Sequence, residues 1–485
     1  MKKFKSIIAL LLTCAFAAPL TASAESLLEV YQQALQSDPR IFEAEARRLA
    51  ALEAEPQARG LYLPQIDFSG SYTSDTSDGS GVTQQAILDD STSPPTVVDV
   101  VPVQFQSRTE SDTTRWQFQL RQTIFRWDQI VGMRRADKTV ARAEADREAA
   151  QQDLIVRVTQ RYFDVLAAED RLAATIANRR AIARQLEQAK QRFDVGLIAI
   201  TDVQESQARY DSAVADEIAA KRALATAEYF LQEITGDPVG PLSAPSSELP
   251  LNSPEPTSEQ SWVDLALDQN LALVASRIDE RLARDEISFR RNGHYPTIDL
   301  VASTSNTDVT SEQDTFTGLG PLPADRDFDA DSISIQFNLP LFAGGRTTSR
   351  VKEAVYLHRA SREVLQRTTR ETERAARDAY LGVLAEISRV SALERAVESN
   401  QTALEATQAG YDVGTRTIVE VLNAQFQLYQ AVTNYYQSRY DYILNVMRLK
   451  QAAGTLQIQD LERLEPFLEV RDDPETRAES EGESE

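Results

Sequence analysis

The 485-residue chain has one cysteine, two histidines and long stretches without proline. Cys14 lies inside an N-terminal apolar stretch, so the rest of the chain has no thiol for disulfides, metal binding or nucleophilic attack. His294 and His358 stand far apart, and neither Gly-x-Ser-x-Gly nor a phosphate-binding Gly-Lys loop occurs, so the common enzyme frameworks are missing. No enzymatic activity, cofactor or metal is expected. Positive charge is also short: 51 Lys and Arg face 74 Asp and Glu, giving -23 at pH 7 and arguing against nucleic acid as a partner. Past the first residues no apolar run reaches the length of a membrane helix. An exported chain of this kind crosses a membrane only as a closed β-barrel.

Lys2, Lys3 and Lys5, the apolar stretch Ile7 to Ala18 and the small residues Ala22-Ser23-Ala24 form a secretory leader, residues 1–24, with the mature chain starting at Glu25. A lipidated Cys14 is the weaker reading, because threonine precedes it and the apolar region continues past it. Loss of the three lysines takes the charge from -23 to -26.

No proline occurs between Pro102 and Pro238 or between Pro340 and Pro466, which leaves room for uninterrupted helices. Within these stretches Arg192-Phe-Asp-Val-Gly-Leu-Ile-Ala-Ile-Thr-Asp-Val203 and Gly410-Tyr-Asp-Val-Gly-Thr-Arg-Thr-Ile-Val-Glu-Val421 are near copies. Each interrupts helical periodicity only at a Val-Gly pair. The chain reads as two repeats, 25–236 and 257–454, joined by a linker, 237–256, with six prolines and followed by a C-terminal segment, 455–485, ending in an acidic tail expected to be disordered. Helices are expected from about Gln129 to Val195 and Arg346 to Val413, each about 100 Å at 1.5 Å per residue. Returning helices are expected from about Ile200 to Ile234 and Thr417 to Ala453, closed by Gly236 and Gly454. Leu154, Val158, Val165, Ala168, Leu172, Ile182, Leu186, Ala189 and Phe193 form a coiled-coil series interrupted by Arg161, Thr175 and Arg179.

Two helices are expected from Ser26 to about Gly60, with a break at Ser37-Asp38-Pro39. The segment from Ile66 to Thr73 then alternates, Ile66, Phe68 and Tyr72 against Asp67, Ser69, Ser71 and Thr73. From Arg115 to Arg121, Trp116, Phe118 and Leu120 alternate with Arg115, Gln117, Gln119 and Arg121, so a polar inner face lies behind an apolar outer one. The second half repeats this order, with Tyr295-Pro-Thr-Ile-Asp-Leu300 matching Leu63-Pro-Gln-Ile-Asp-Phe68, and Ile333, Ile335, Phe337 and Leu339 forming one face of the last strand. Residues 74–113 and 306–331, polar and without helical period, read as long loops. Four strands per chain cannot close a spanning barrel, so the barrel is shared: eight strands in a dimer or twelve in a trimer.

The two tip sequences, the Leu28-x-x-Tyr31-x-x-Ala34 opening and the Leu63-Pro-Gln start of the first strand closely resemble the TolC family of bacterial outer-membrane factors, which serve efflux and type I secretion. The resemblance covers about Ser26 to Gly454. It implies a mixed α/β membrane protein: a homotrimer whose twelve-stranded barrel sits among outer-membrane lipids and continues as an α-helical coiled-coil tunnel into the periplasm. It also implies partnership with a periplasmic membrane-fusion adaptor and an inner-membrane transporter of RND, ABC or MFS type, exporting drugs, detergents, bile salts, proteins or several of these. It places Gly196 and Gly414 at the hairpin turns that dock the adaptor. Gate links fall on Tyr411 and Arg416 on one side and Thr201 and Asp202 on the other. An acidic entrance ring falls on Glu420 and, where the family has a second carboxylate, on Asn423. The competing reading is a coiled-coil periplasmic adaptor or structural protein without a pore, which would share the helices but not the strands.

Overall fold

The computed structural model describes residues 24–89, 91, 93–94, 96–246, 248–315, 322–471 and 476. The expected leader as far as Ser23, with Cys14, and the acidic tail beyond Arg471 except Thr476 lie outside the described residues. Three helices precede the first strand: α1 (Leu27–Ser37), α2 (Pro39–Leu52) and α3 (Ala54–Gly60). Ser26 and Glu29 form a capping box on α1, each backbone N–H donating to the other's side chain, at 2.9 and 3.3 Å. Only two helices are expected from the sequence. The extra break falls at Glu53, because Pro56 has no N–H to donate to the Leu52 carbonyl.

Next come β1 (Gln65–Asp89), β2 (Thr96–Phe125), the helices α4 (Trp127–Asp194) and α5 (Ile200–Thr235), β3 (Ser243–Pro245), α6 (Glu259–Gln269) and α7 (Leu271–Arg290). The chain ends with β4 (Thr297–Thr315), β5 (Leu322–Asn338), α8 (Arg346–Asp412), α9 (Ile418–Ala453), α10 (Ile458–Glu462) and β6 (Leu468–Val470). The four long helices end within two residues of their sequence-derived limits. They divide between two compact units, one from residues 1–49, 142–277 and 363–485 and the other from 50–141 and 278–362.

The second unit holds an antiparallel sheet of order β1-β2-β4-β5. The long loops expected at 74–113 and 306–331 are mostly strand: β1 runs to Asp89, β2 starts at Thr96, and β4 and β5 flank residues 316–321. The ladder satisfies backbone groups whatever the side chains are, so a stretch that is polar on both faces, as from Ser74 to Asp78, forms strand without a period-2 signal. Register places Ile66 opposite Leu120, Phe68 opposite Phe118, Leu120 opposite Ala302, Leu300 opposite Ile335 and Ile298 opposite Phe337 on one face. The other face carries Gln65 opposite Arg121, Asp67 opposite Gln119 and Ser69 opposite Gln117. The apolar face is bare within the chain, with Phe68 63%, Ile333 81% and Ile335 70% exposed. Beside the sheet, Trp127 donates to the Ser288 carbonyl at 3.2 Å, Arg135 pairs with Glu286 at 2.8 Å, and His358 meets Glu280 at 2.6 Å.

The first unit packs α1, α4, α5 and α9 around Leu27, Leu154, Tyr162, Leu166, Leu231, Ile443 and Met447. Most of the expected α4 series is buried, but Phe193 is 38% exposed at the hairpin end. Its polar interruptions are partnered: Arg161 lies 4.6 Å over the Phe230 ring and Arg179 pairs with Glu217. The Pro-rich stretch is anchored, since β3 pairs with β6 and Leu242, Ala244 and Leu249 are buried. Asp170 on α4 accepts from the Tyr440 hydroxyl of α9 at 2.5 Å and from Arg471 at 3.0 Å. Burial, and secondly the Asp170 charge, hold the Tyr440 phenol well above its ordinary range, so it stays a donor.

Gly454 ends α9 at φ +75°, and a Cβ there would overlap the Gln269 carbonyl oxygen. Gly454→Ala is therefore expected to cost about 3 kcal/mol, from left-handed strain plus backbone displacement. A lowered thermal midpoint of the extracted protein checks this, whereas Gly196→Ala, with open space around it, should show only the conformational part.

Candidate functional site at the helical hairpin ends

Both hairpins of the first unit turn in the same way. Gly196 sits at φ +77° and Gly414 at φ +79°, a backbone region where an L side chain is strained. The Gly196 N–H donates to the Phe193 carbonyl at 2.8 Å and Leu197 N–H to Arg192 at 2.9 Å. In the second copy Gly414 N–H donates to Tyr411 at 3.0 Å and Thr415 N–H to Gly410 at 2.8 Å. Matched spacing in the sequence thus becomes matched hydrogen bonding, closing α4 and α8 with the paired bonds of a left-handed C-terminal cap.

The turns differ in what they carry. Thr417 caps α9, its Oγ1 accepting from Glu420 N–H at 3.4 Å while Glu420 Oε2 accepts from Thr417 N–H at 2.8 Å. Glu420 Oε1 also takes the Arg416 guanidinium at 2.6 Å. The Thr417 backbone N–H and then Arg416 lower the Glu420 pKa from its ordinary 4.5 to about 2. The cap contribution of Glu420 is thus complete above pH 4.5 and is lost as pH falls through about 2. Gly410 leaves room for the Arg416 stem, since a Cβ there would lie 2.7 Å from Arg416 Cγ.

Thr201 and Asp202 lie in the first turn of α5, with Thr201 Oγ1 3.5 Å from Asp202 Oδ1. Tyr411 is half-buried against Ile182, Ala213, Ile418 and Leu422. Among the described residues, neither Tyr411 nor Arg416 hydrogen-bonds Thr201 or Asp202 within the chain. One contact joining the two tips was not singled out from the sequence: Arg192 lies 4.7 Å over the Tyr411 ring and 3.8 Å from the Asp412 carboxylate. Arg192 aligns with Gly410 in the duplication, and that large-for-small difference was the available signal. Arg209 reaches Asn423 Oδ1 at 3.5 Å. Among the described residues no cluster of three or more His, Cys, Asp or Glu could hold a metal, and no helix is long and apolar enough to cross a membrane.

The arrangement is a polar, charge-paired helical end in one unit and a sheet with a bare apolar face in the other. The outer membrane efflux protein family model matches residues 30–237 and 262–455. Outer membrane protein TolC of Vibrio cholerae serotype O1 is 36% identical over 92% of this chain and 94% of its own. The alkaline protease secretion protein AprF of Pseudomonas aeruginosa is 28% identical over 91% and 87%. The crystal structure of the Campylobacter jejuni CmeC outer membrane channel shares the fold, with TM-score 0.67 and 16% identity over 94% and 89% of the two chains. The chain belongs to the outer membrane efflux protein family and resides in the outer membrane.

Proposed function

We propose that three copies of this chain close a twelve-stranded barrel and extend it with the α4–α5 and α8–α9 hairpins as a tunnel into the periplasm. The observation that carries this is the sheet itself: four strands with a bare apolar face and two open edges, β1 and β5. Such a sheet is unstable in water alone, and joining edges between copies removes both liabilities. The two stretches matched by the family model support two repeats of one unit. The channel works as an exit duct with a periplasmic adaptor, docked at the Gly196 and Gly414 tips, and an inner-membrane pump. Its cargo is small toxic molecules, secreted proteins or both; selection rests with the pump. Deleting the gene should raise sensitivity to dyes, detergents and bile salts or remove proteins from the medium. No change in either profile would count against the export role.

The tips form the gate. Tyr411 and Arg416 of one hairpin latch to Thr201 and Asp202 across the closed end, between copies, since among the described residues no such bond forms inside the chain. Glu420 lines the entrance, with Asn423 in place of a second carboxylate. Its charge is already shared with Arg416, so block by a trivalent cation should be weak, constant from neutral pH down to pH 4, and absent in Glu420→Gln. Block that titrates near the ordinary carboxylate value, or survives Glu420→Gln, would remove this residue from the entrance.

A further inference from the structure

The β1–β2 hairpin outruns the described part of the β4–β5 hairpin. Among the described residues the β2–β4 ladder runs as far as Ser107 opposite Thr315. Beyond it, from Ser80 opposite Gln106 to Asp89 opposite Thr96, β1 and β2 have only each other among the described residues. A two-stranded ribbon is marginal in water by itself. Apolar side chains project from both of its faces, beside polar partners such as Gln104 opposite Val82 and Asp99 opposite Ile87. Val82, Ile87, Leu88, Val97, Val98 and Val100 are all exposed, with Leu88 and Val97 paired on one face and Ile87 directed to the other. Residues 79–107 contain no Lys or Arg, so nothing draws the ribbon to anionic head groups or phosphates.

We infer that the occupant of this surface is the same ribbon in the two neighbouring copies, and that the three ribbons converge over the outer mouth of the channel. This rests on the shared-barrel reading. A twelve-stranded barrel has a diameter of about 24 Å, from strand spacing and tilt, whereas the free ribbon extends about 30 Å beyond the four-stranded sheet. Each ribbon can therefore reach the threefold axis. Tethering by the barrel holds the three copies at roughly millimolar effective concentration, which an untethered partner does not match. Exposed apolar side chains on both faces of the ribbon favour cover on both sides, and a threefold arrangement gives each copy two neighbours. The association narrows the outer mouth.

The test uses the full chain, extracted and purified in detergent, with Val100→Cys, or Val97→Cys should the first fail to fold, and a short bismaleimide. Native mass measurement of the same sample first establishes whether it is a trimer. Convergence gives two-chain cross-links within the trimer, while Ser71→Cys, in the barrel wall about 20 Å from its equivalents, gives none. A trimer of the Val100→Cys variant whose thiol is fully modified by a bulky monofunctional maleimide yet never cross-linked overturns the inference and leaves the proposed channel standing. Links only between separate trimers overturn it as well. A sample that is not a trimer overturns the channel reading and the inference together.

Discussion

A channel carrying Tyr411→Phe with Arg416→Ser should conduct at rest, its closed-state conductance in planar bilayers rising about tenfold or more. Each wet, charge-assisted link contributes about 0.5–1.5 kcal/mol, and two links in each of three copies total roughly 3–9 kcal/mol. That is enough to keep a tunnel shut and small enough for a bound adaptor to offset. The structure gives the substitution a second consequence. Arg416 neutralises Glu420 at 2.6 Å, so its removal leaves an uncompensated carboxylate at the entrance, and the open variant should gain cation selectivity and trivalent-cation block. Conductance unchanged from the parent would remove Tyr411 and Arg416 from the gate. Arg192→Ala offers a contrast: it loosens the tip contact inside one chain, through Tyr411 and Asp412, without deleting a latch group.

Phe118→Arg should abolish assembly, whereas Gln117→Arg, one residue away, should be tolerated. Phe118 stands on the bare apolar face with its ring 4.7 Å from Phe68, where an arginine facing lipid costs about 2–4 kcal/mol per chain. The penalty recurs in every copy around the barrel. Gln117 lies on the opposite face beside Gln119 and Arg115, where added positive charge meets water and shifts the reversal potential toward anions. The measurement is the amount of heat-modifiable oligomer in outer-membrane fractions. Equal yields of the two variants would mean that the apolar face does not meet lipid.

The helices and their turns were legible because few residues satisfy their geometry. Gly196, Gly414, Gly236 and Gly454 all occupy positive φ where the sequence placed helix ends, and absence of proline left room for the long helices between them. The core halves of the strands were legible from two-face contrast, as at Ile66 and Phe68. The outer halves were not: from Ser74 to Asp78, with Thr76 and Asp78 on one face and Asp75 and Ser77 on the other, both faces are polar, and the ladder that orders them is invisible in side-chain chemistry. In the site, Thr417 and Glu420 show a capping spacing, but the ion pair that occupies Glu420 depends on how Arg416 folds back over Gly410. The Arg192 to Tyr411 contact joins different hairpins, so its one sign in the sequence is the large-for-small difference between Arg192 and Gly410 across the duplication.

The open β1 and β5 edges place the central claim in the number of chains per barrel. Native mass measurement of the detergent-extracted protein should give three chains in a particle that resists dodecyl sulfate until heated. A monomer or dimer under the same conditions would contradict a barrel shared by three.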